Sequence, residues 1–303
     1  MAKVSVIVPN YNHAKFLTQR METILAQTFR DFEVIILDDN STDNSRELIE
    51  QYRGHEKVSY IIFNEQNSGS TFHQWKKGIA TSSGKYIWIA ESDDFCDVNF
   101  LETAVAKLES GYDLFYAKTV NVDENGQPRE LKSLWTDDIS PSRWKEDFEN
   151  NAKDEVKEIL FLKNTIPNAS AAVFKRTDKL MLYLEEIQGM RYCGDWIFWM
   201  VFLLDAQRLY YSVATQNYFR THPSVSRLSH SQEARNKEVL KVLQFVLKNP
   251  LSKGKRGFLV SYYFETHLYK GEKRNITGNF KSALKQALLS PRFISSWVRY
   301  YLR

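Results

Sequence analysis

Apolar residues recur along the chain in two alternating rhythms. Val4-Ser5-Val6-Ile7-Val8 is a β-branched run stopped by Pro9-Asn10; Leu17, Met21, Ile24 and Leu25 then fall at i, i+4, i+7 and i+8, the spacing of a helical stripe. The cycle repeats. Glu33-Val34-Ile35-Ile36-Leu37 ends in Asp38-Asp39, the turn Asn40-Ser41-Thr42-Asp43 supplies cap residues, and a helix is predicted around 45–52. Val58 to Phe63 with a helix near 72–80, Tyr86 to Ala90 with a helix over 101–108, and Leu114-Phe115-Tyr116 complete the series. Unbroken apolar strands between helices belong to the α/β class, a mostly parallel sheet flanked by helices on both faces. Ligands bind such sheets beyond the carboxyl ends of the strands. Here those ends carry Asn10-Tyr11-Asn12, Asp38-Asp39 and Glu91-Ser92-Asp93-Asp94.

The second part of the chain is less regular. Residues 121–154 turn polar, with Gly126, Pro128 and Pro141, and are predicted to form an irregular insertion. A strongly apolar helix follows Asp195, a late strand runs from Arg208 to Asn217, and from Gln232 the pattern is helical. The predicted organisation is a sheet-bearing region over 1–230, in halves 1–120 and 121–230, and a basic helical extension over 231–303. The longest apolar run, Trp196 to Leu204, has nine residues, whereas a membrane-spanning helix needs about 20. Met1-Ala2-Lys3 leads straight into the first strand pattern, and the two cysteines, Cys96 and Cys193, lie far apart. No signal peptide and a reducing cytoplasm are therefore expected.

Net charge is +4, unevenly spread: Lys253 to Arg303 holds 11 Lys/Arg against 2 Asp/Glu, and the remaining 252 residues carry −5. Within that tail Phe280, Ala283, Leu284, Ala287 and Leu288 share one helical face. After Pro291, so do Phe293, Ile294, Trp297, Val298 and Tyr301, flanked by Arg292, Arg299 and Arg303. Basic residues beside an aromatic-rich apolar face suit a helix lying on an anionic membrane; packing onto the acidic body is the competing outcome.

The motifs narrow the chemistry. A dinucleotide-binding dehydrogenase needs G-x-G-x-x-G after the first strand, but no glycine stands between Met1 and Asp39, and no Walker-type loop occurs. What remains is a site that holds phosphates through a metal and carboxylates. The order Val4-Ser5-Val6-Ile7-Val8-Pro9-Asn10-Tyr11-Asn12, Asp38-Asp39-Asn40-Ser41-Thr42-Asp43, Asn67-Ser68-Gly69, Glu91-Ser92-Asp93-Asp94 resembles that of family 2 glycosyltransferases, inverting enzymes of the GT-A fold that use nucleotide sugars. The likeness is dense over residues 3–120 and continues through shorter motifs over 160–226.

The resemblance implies roles. Pro9, Tyr11, Asn12, Asp38, Asp39, Asn67, Gly69, Ser70, Ser92 and Asp93 are nucleotide-binding candidates, with Tyr11 packing on the base and Asp39 accepting from a uracil N–H. Glu91, Asp93 and Asp94 stand where the family carries its D-x-D motif, with Glu91 departing from Asp. With His222 they are candidate ligands for Mg2+ or Mn2+, which would offset a departing diphosphate. Spacing leaves open whether Asp93 or Asp94 is the direct ligand. Arg220 or His222, in a segment resembling R-x-H-x-x-S-x-S, would lie over the diphosphate, and Lys76 and Lys77 are further cations to consider there. Inversion needs one base on the acceptor side. The candidate is Asp195 in Gly194-Asp195-Trp196, and helix capping is its bland alternative. Asn168 and Trp196 are candidates for a sugar or acceptor wall.

The implied reaction moves a sugar, most simply from UDP, onto a glycan or lipid-linked acceptor in surface polysaccharide or glycolipid assembly. A catalytically silent sugar-nucleotide-binding subunit is the alternative. Nucleic-acid binding rests on the basic tail alone and lacks a motif, so no nucleic-acid partner is expected.

Overall fold

The computed structural model describes residues 2–130, 135–222 and 232–268. In chain order the elements are β1 (Val4–Asn10), α1 (Ala14–Leu25), β2 (Phe32–Asp38), α2 (Ser45–Glu50), β3 (Val58–Phe63), α3 (Thr71–Thr81), β4 (Tyr86–Ile89), β5 (Phe95–Cys96) and α4 (Phe100–Glu109). They continue with β6 (Leu114–Val122), β7 (Phe148–Asn151), α5 (Ala152–Glu155), β8 (Ala172–Lys175), α6 (Leu180–Ile187), α7 (Gly194–Asp205), β9 (Arg208–Arg220), α8 (Gln232–Lys248) and α9 (Arg256–Tyr263).

All nine strands among the described residues join one sheet, ordered β3-β2-β1-β4-β8-β6-β9-β5, with β7 on β9. The expected α/β architecture is in place. Strands β3, β2, β1 and β4 run parallel, as do β6 and β9, while β8 is inserted antiparallel to both β4 and β6. Because side chains alternate across a strand, the apolar runs feed two cores. Val4, Val6 and Val8 pack with Val34, Ile36 and Trp88 under α1 and α4. Ile7, Ile35, Leu37, Ile87 and Ile89 pack on the other face with α3, α6 and α7. In β1 and β2 all fourteen residues are buried, which is why both read as continuous runs.

The predicted irregular insertion is partly ordered: β6 extends to Val122, and β7 pairs antiparallel with β9. Helix α7 is apolar around most of its circumference because it is covered on most sides. One cover is the C-terminal region. Val239, Val242 and Leu243 of α8 and Leu259, Val260 and Tyr263 of α9 belong to the same core as Ile197 and Trp199. Each such side chain contributes about 1.5–3 kcal/mol on burial, so these helices are integral to the fold. Among the described residues no helix is long and apolar enough to cross a membrane. The two apolar stripes, 280–288 and 293–301, lie outside the described residues.

Candidate active site

The site lies at the carboxyl ends of β1, β2 and β4. Neighbouring strands bring Asn10 and Asp38 into register, and Asn10 Nδ2 donates to Asp38 Oδ1 at 2.8 Å. Asp38 also accepts from Ser41 N (3.0 Å) and Ser41 Oγ (2.6 Å). Asn12 and Asn40 adopt left-handed backbone, φ 55° and 60°, a conformation Asn tolerates. Asn12 then receives Thr42 N on its Oδ1 at 2.7 Å. Two loops are thus stitched together below an exposed Tyr11 ring.

Asp39 is the centre of this wall. Its Oδ1 accepts from Asn64 Nδ2 (2.6 Å), Ser68 N (2.9 Å) and Gln74 Nε2 (2.8 Å), and its Oδ2 from Ser68 Oγ (2.7 Å). A carboxylate offers about four acceptor positions divided between its oxygens, so Oδ2 has capacity for a ligand N–H. Asn67 Nδ2 donates to the Asp39 carbonyl at 3.0 Å and Asn67 Oδ1 accepts from Gly69 N at 2.8 Å. Ser70 caps α3 and donates its hydroxyl to Met190 O at 2.9 Å, tying this wall to the opposite side.

The acidic loop after β4 sends its side chains three ways. Glu91 Oε1 accepts from Trp75 Nε1 (2.9 Å) and Thr71 Oγ1 (3.3 Å); burial, reinforced by the charges of Asp93 and Asp94, pushes its carboxyl up to about 8. Asp94 accepts from Asn168 Nδ2 (2.7 Å) and Arg220 N (3.0 Å), and burial beside Asp93 raises it to about 7. Asp93 faces two imidazoles, with His222 Nε2 3.0 Å from its Oδ2. Burial works to raise Asp93, but the facing His13 and His222 outweigh it and hold its carboxyl below the ordinary value. Burial lowers His13 in turn.

His13, Asp93 and His222 each offer one ligand atom, all within 4.8 Å of one another. That fits a divalent cation, and two imidazole donors suit Mn2+ better than Mg2+, which prefers oxygen. Sequence reasoning missed His13; its adjacency to Tyr11-Asn12 was the available signal.

The opposite wall is assembled from distant segments. Asp195 lies in the first turn of α7, past Cys193 at the cap position. Its Oδ2 accepts from Asn164 Nδ2 at 2.9 Å and its Oδ1 from Trp196 N at 2.9 Å. The preceding loop is gripped by Glu238 of α8, whose carboxylate accepts from Arg191 N (2.7 Å), Tyr192 N (2.8 Å) and Cys193 N (2.9 Å). A Cβ on Gly194 would sit 2.4 Å from the Phe72 ring, so this position excludes any larger residue while Phe72 is present. Asn164, Arg191, Tyr192 and Glu238 had no sequence signal beyond lying in or near a helix.

These walls enclose a cleft of about 510 Å³, lined among others by Pro9, Tyr11, Asp39, Asp93, Arg191 and Asp195. A profile of glycosyl transferase family 2 matches residues 5–176, over half of the chain. The chain belongs to this family. Glycosyltransferase GlyG of Streptococcus pneumoniae is 34% identical over 123 residues, 40% of either chain. The poly(ribitol-phosphate) β-N-acetylglucosaminyltransferase TarS of Staphylococcus aureus is 32% identical over 136 residues, 43% of this chain and 23% of TarS. The chain therefore spans less than half the length of these relatives. The crystal structure of TarS 1–349 matches with a TM-score of 0.68 at 20% identity, covering 97% of this chain and 80% of that one, and its complex with UDP gives the same figures. The GT-A fold follows from that likeness.

Within this family 2 frame the expected site residues divide. Asn12, Asn67, Gly69, Ser70, Glu91, Asp94 and Asn168 also reach the cleft. Five others do not line it. Asp38 is spent on Asn10 and Ser41. Ser92 is fully buried, 2.9 Å from His13 Nδ1, and orients that ring. Trp196 donates to Leu160 O at 2.7 Å and stacks on Tyr263, so it holds α7 to α9. Arg220 donates to the carbonyls of Asp93 and Glu124, both at 2.8 Å, and to Gln19, between the Phe16 and Phe95 rings. It supports the acidic loop through these contacts. His222 lies behind Asp93 as its partner. Of the four expected metal ligands, Asp93 and His222 converge, while Glu91 turns to α3 and Asp94 to Asn168 and Arg220.

Proposed function

We propose that this chain is an inverting glycosyltransferase that moves a hexosyl or N-acetylhexosaminyl group from a nucleoside diphosphate, UDP foremost, to an acceptor hydroxyl in cell-surface polysaccharide or glycolipid assembly. The observation that carries this is the convergence of Asp39, Asp93 and Asp195 on one cleft. Support for the donor comes from TarS 1–349, which was solved with UDP and with UDP-GlcNAc. Support for the acceptor class comes from TarS, whose name specifies poly(ribitol-phosphate). A cytoplasmic setting, with the basic tail on an anionic membrane surface, would bring such a donor to a lipid-linked acceptor.

In this mechanism Tyr11 packs on the base and Asp39 Oδ2 accepts a ring N–H. Asp195 takes the proton of the acceptor hydroxyl as that oxygen bonds to the anomeric carbon. The bond from this carbon to the β-phosphate oxygen breaks, and the nucleoside diphosphate leaves with the electron pair. His13, Asp93 and His222 would hold a divalent cation, Mn2+ or Mg2+, supplying charge stabilisation for the departing diphosphate. Asn164 keeps the Asp195 carboxylate aimed at the cleft.

The test is nucleoside diphosphate release from a panel of UDP-, GDP- and dTDP-sugars with a lipid-phosphate sugar acceptor, with and without EDTA. Acceptor-dependent UDP release that EDTA abolishes is the expected result. Binding without release from any donor would make the chain a silent sugar-nucleotide-binding subunit. Full activity in EDTA would remove the cation from the mechanism.

A further inference from the structure

Five carboxyl groups line the cleft: Asp39, Glu91, Asp93, Asp94 and Asp195. A nucleotide sugar brings two more negative charges into it. Among the described residues lining the cleft, Arg191 is the one with a permanent positive charge. The other candidate cations are committed elsewhere. Arg220 is enclosed by two carbonyls and two aromatic rings, Lys76 pairs with Glu185, and Lys77 donates to Asn64 Oδ1.

Arg191 differs from all three. Its backbone N–H is fixed by Glu238 at 2.7 Å, yet its guanidinium makes no hydrogen bond or ion pair among the described residues. Nη2 lies 3.1 Å from where a Cβ on Gly69 would stand, and Gly69 has φ +73°. The glycine both takes the left-handed turn and leaves room for the guanidinium against the loop that follows Asp39. An anchored backbone, a cleared berth and a planar fork without a partner among the described residues are the features of a phosphate-binding arginine.

We propose that Arg191 grips the diphosphate of the nucleotide-sugar donor and steadies it as the leaving group, the task that the sequence pattern suggested for Arg220. This rests on the transferase reading above. A phosphodiester acceptor presents the same ligand chemistry, so the test separates the two sources.

Calorimetric titration of the full chain with uridine, UMP and UDP in buffer containing Mn2+ compares wild type with Arg191→Gln and Arg191→Lys. UDP affinity falls roughly 10- to 100-fold in Arg191→Gln, the scale of charge-assisted hydrogen bonds. Uridine affinity stays unchanged, and Arg191→Lys, which keeps the charge but not the fork, falls between. Melting temperature also stays unchanged, because the exposed side chain is truncated while its backbone tie remains. Equal losses for uridine and UDP would place Arg191 on the base or ribose and overturn the proposal. So would unchanged UDP affinity with a raised KM for a phosphodiester acceptor. If wild type binds none of the three, the transferase reading itself fails; binding that Arg191→Gln leaves intact removes Arg191 alone.

Discussion

The two walls of the cleft are built in opposite ways. The nucleotide-side wall comes from adjacent strand ends, and its key carboxylate, Asp39, is held by neighbours from one side of the sheet, Asn64, Ser68 and Gln74. The acceptor-side wall has no strand behind it. Asp195 depends on Asn164, 31 residues away in sequence, and its loop depends on Glu238, 45 to 47 residues away. The first wall is fixed by sheet register and the second by tertiary packing of the C-terminal helices. Under the proposed function, removing Asp195 therefore separates acceptor chemistry from nucleotide binding.

Asp195→Asn separates them most sharply. Turnover falls about 10²–10⁴-fold, the usual contribution of a general base, while UDP affinity measured by calorimetry stays within experimental error of wild type. Normal turnover with only a lowered melting temperature in this variant would mark Asp195 as a helix-start residue and nothing more. Glu238→Ala comes next. It strands three amide donors, so stability falls about 2–4 kcal/mol. Turnover drops roughly tenfold as the loop before α7 shifts, and UDP affinity weakens by a smaller factor as Arg191 loses its backbone tie. Denaturant titration and steady-state kinetics read the two effects; equal losses in kcat and UDP affinity would erase the distinction between the walls.

A smaller effect probes where the walls touch. Gly194→Glu drives a side chain into Phe72 and costs about 1–3 kcal/mol. Phe72→Ala costs stability by itself, but in its background the added cost of Gly194→Glu nearly vanishes, a coupling that a double-mutant cycle measures. Additive costs would mean the clash is relieved by another route.

A further effect is electrostatic and is read as a slope with pH. Burial, with the charges of Asp93 and Asp94, raises the Glu91 carboxyl to about 8 in the folded chain, against an ordinary value of 4.5. The unfolded chain releases that proton first, so stability falls as pH rises between these values, and Asp94, raised to about 7, adds to the slope. In chelator-treated protein Glu91→Gln flattens the decline in unfolding free energy between about pH 5 and 8. An unchanged slope would show that Glu91 is ionised in the fold.

The same contrast explains how much the sequence disclosed. Strands β1, β2 and β4 were legible because each is buried on both faces and ends in a polar turn. Strand β8 was not: Ala172-Val173-Phe174-Lys175 is four residues long and antiparallel, with no rhythm to mark it. Motif positions were legible, side-chain directions less so. Adjacent Asp38 and Asp39 diverge, one into the loop and one into the cleft, and Arg220 turns under the acidic loop. Glu238 belongs to no motif in the sequence, and only the fold brings it to three amides 45 to 47 residues upstream.

The central claim is a single displacement with Asp195 as base, and it can be read without knowing the acceptor. Proton NMR of the free sugar formed by slow hydrolysis of UDP-GlcNAc, an α-linked donor, resolves the two anomers before they equilibrate. The account predicts that the β anomer emerges first, with Asp195→Asn abolishing the signal. First emergence of the α anomer, or an undiminished rate in that variant, would contradict it.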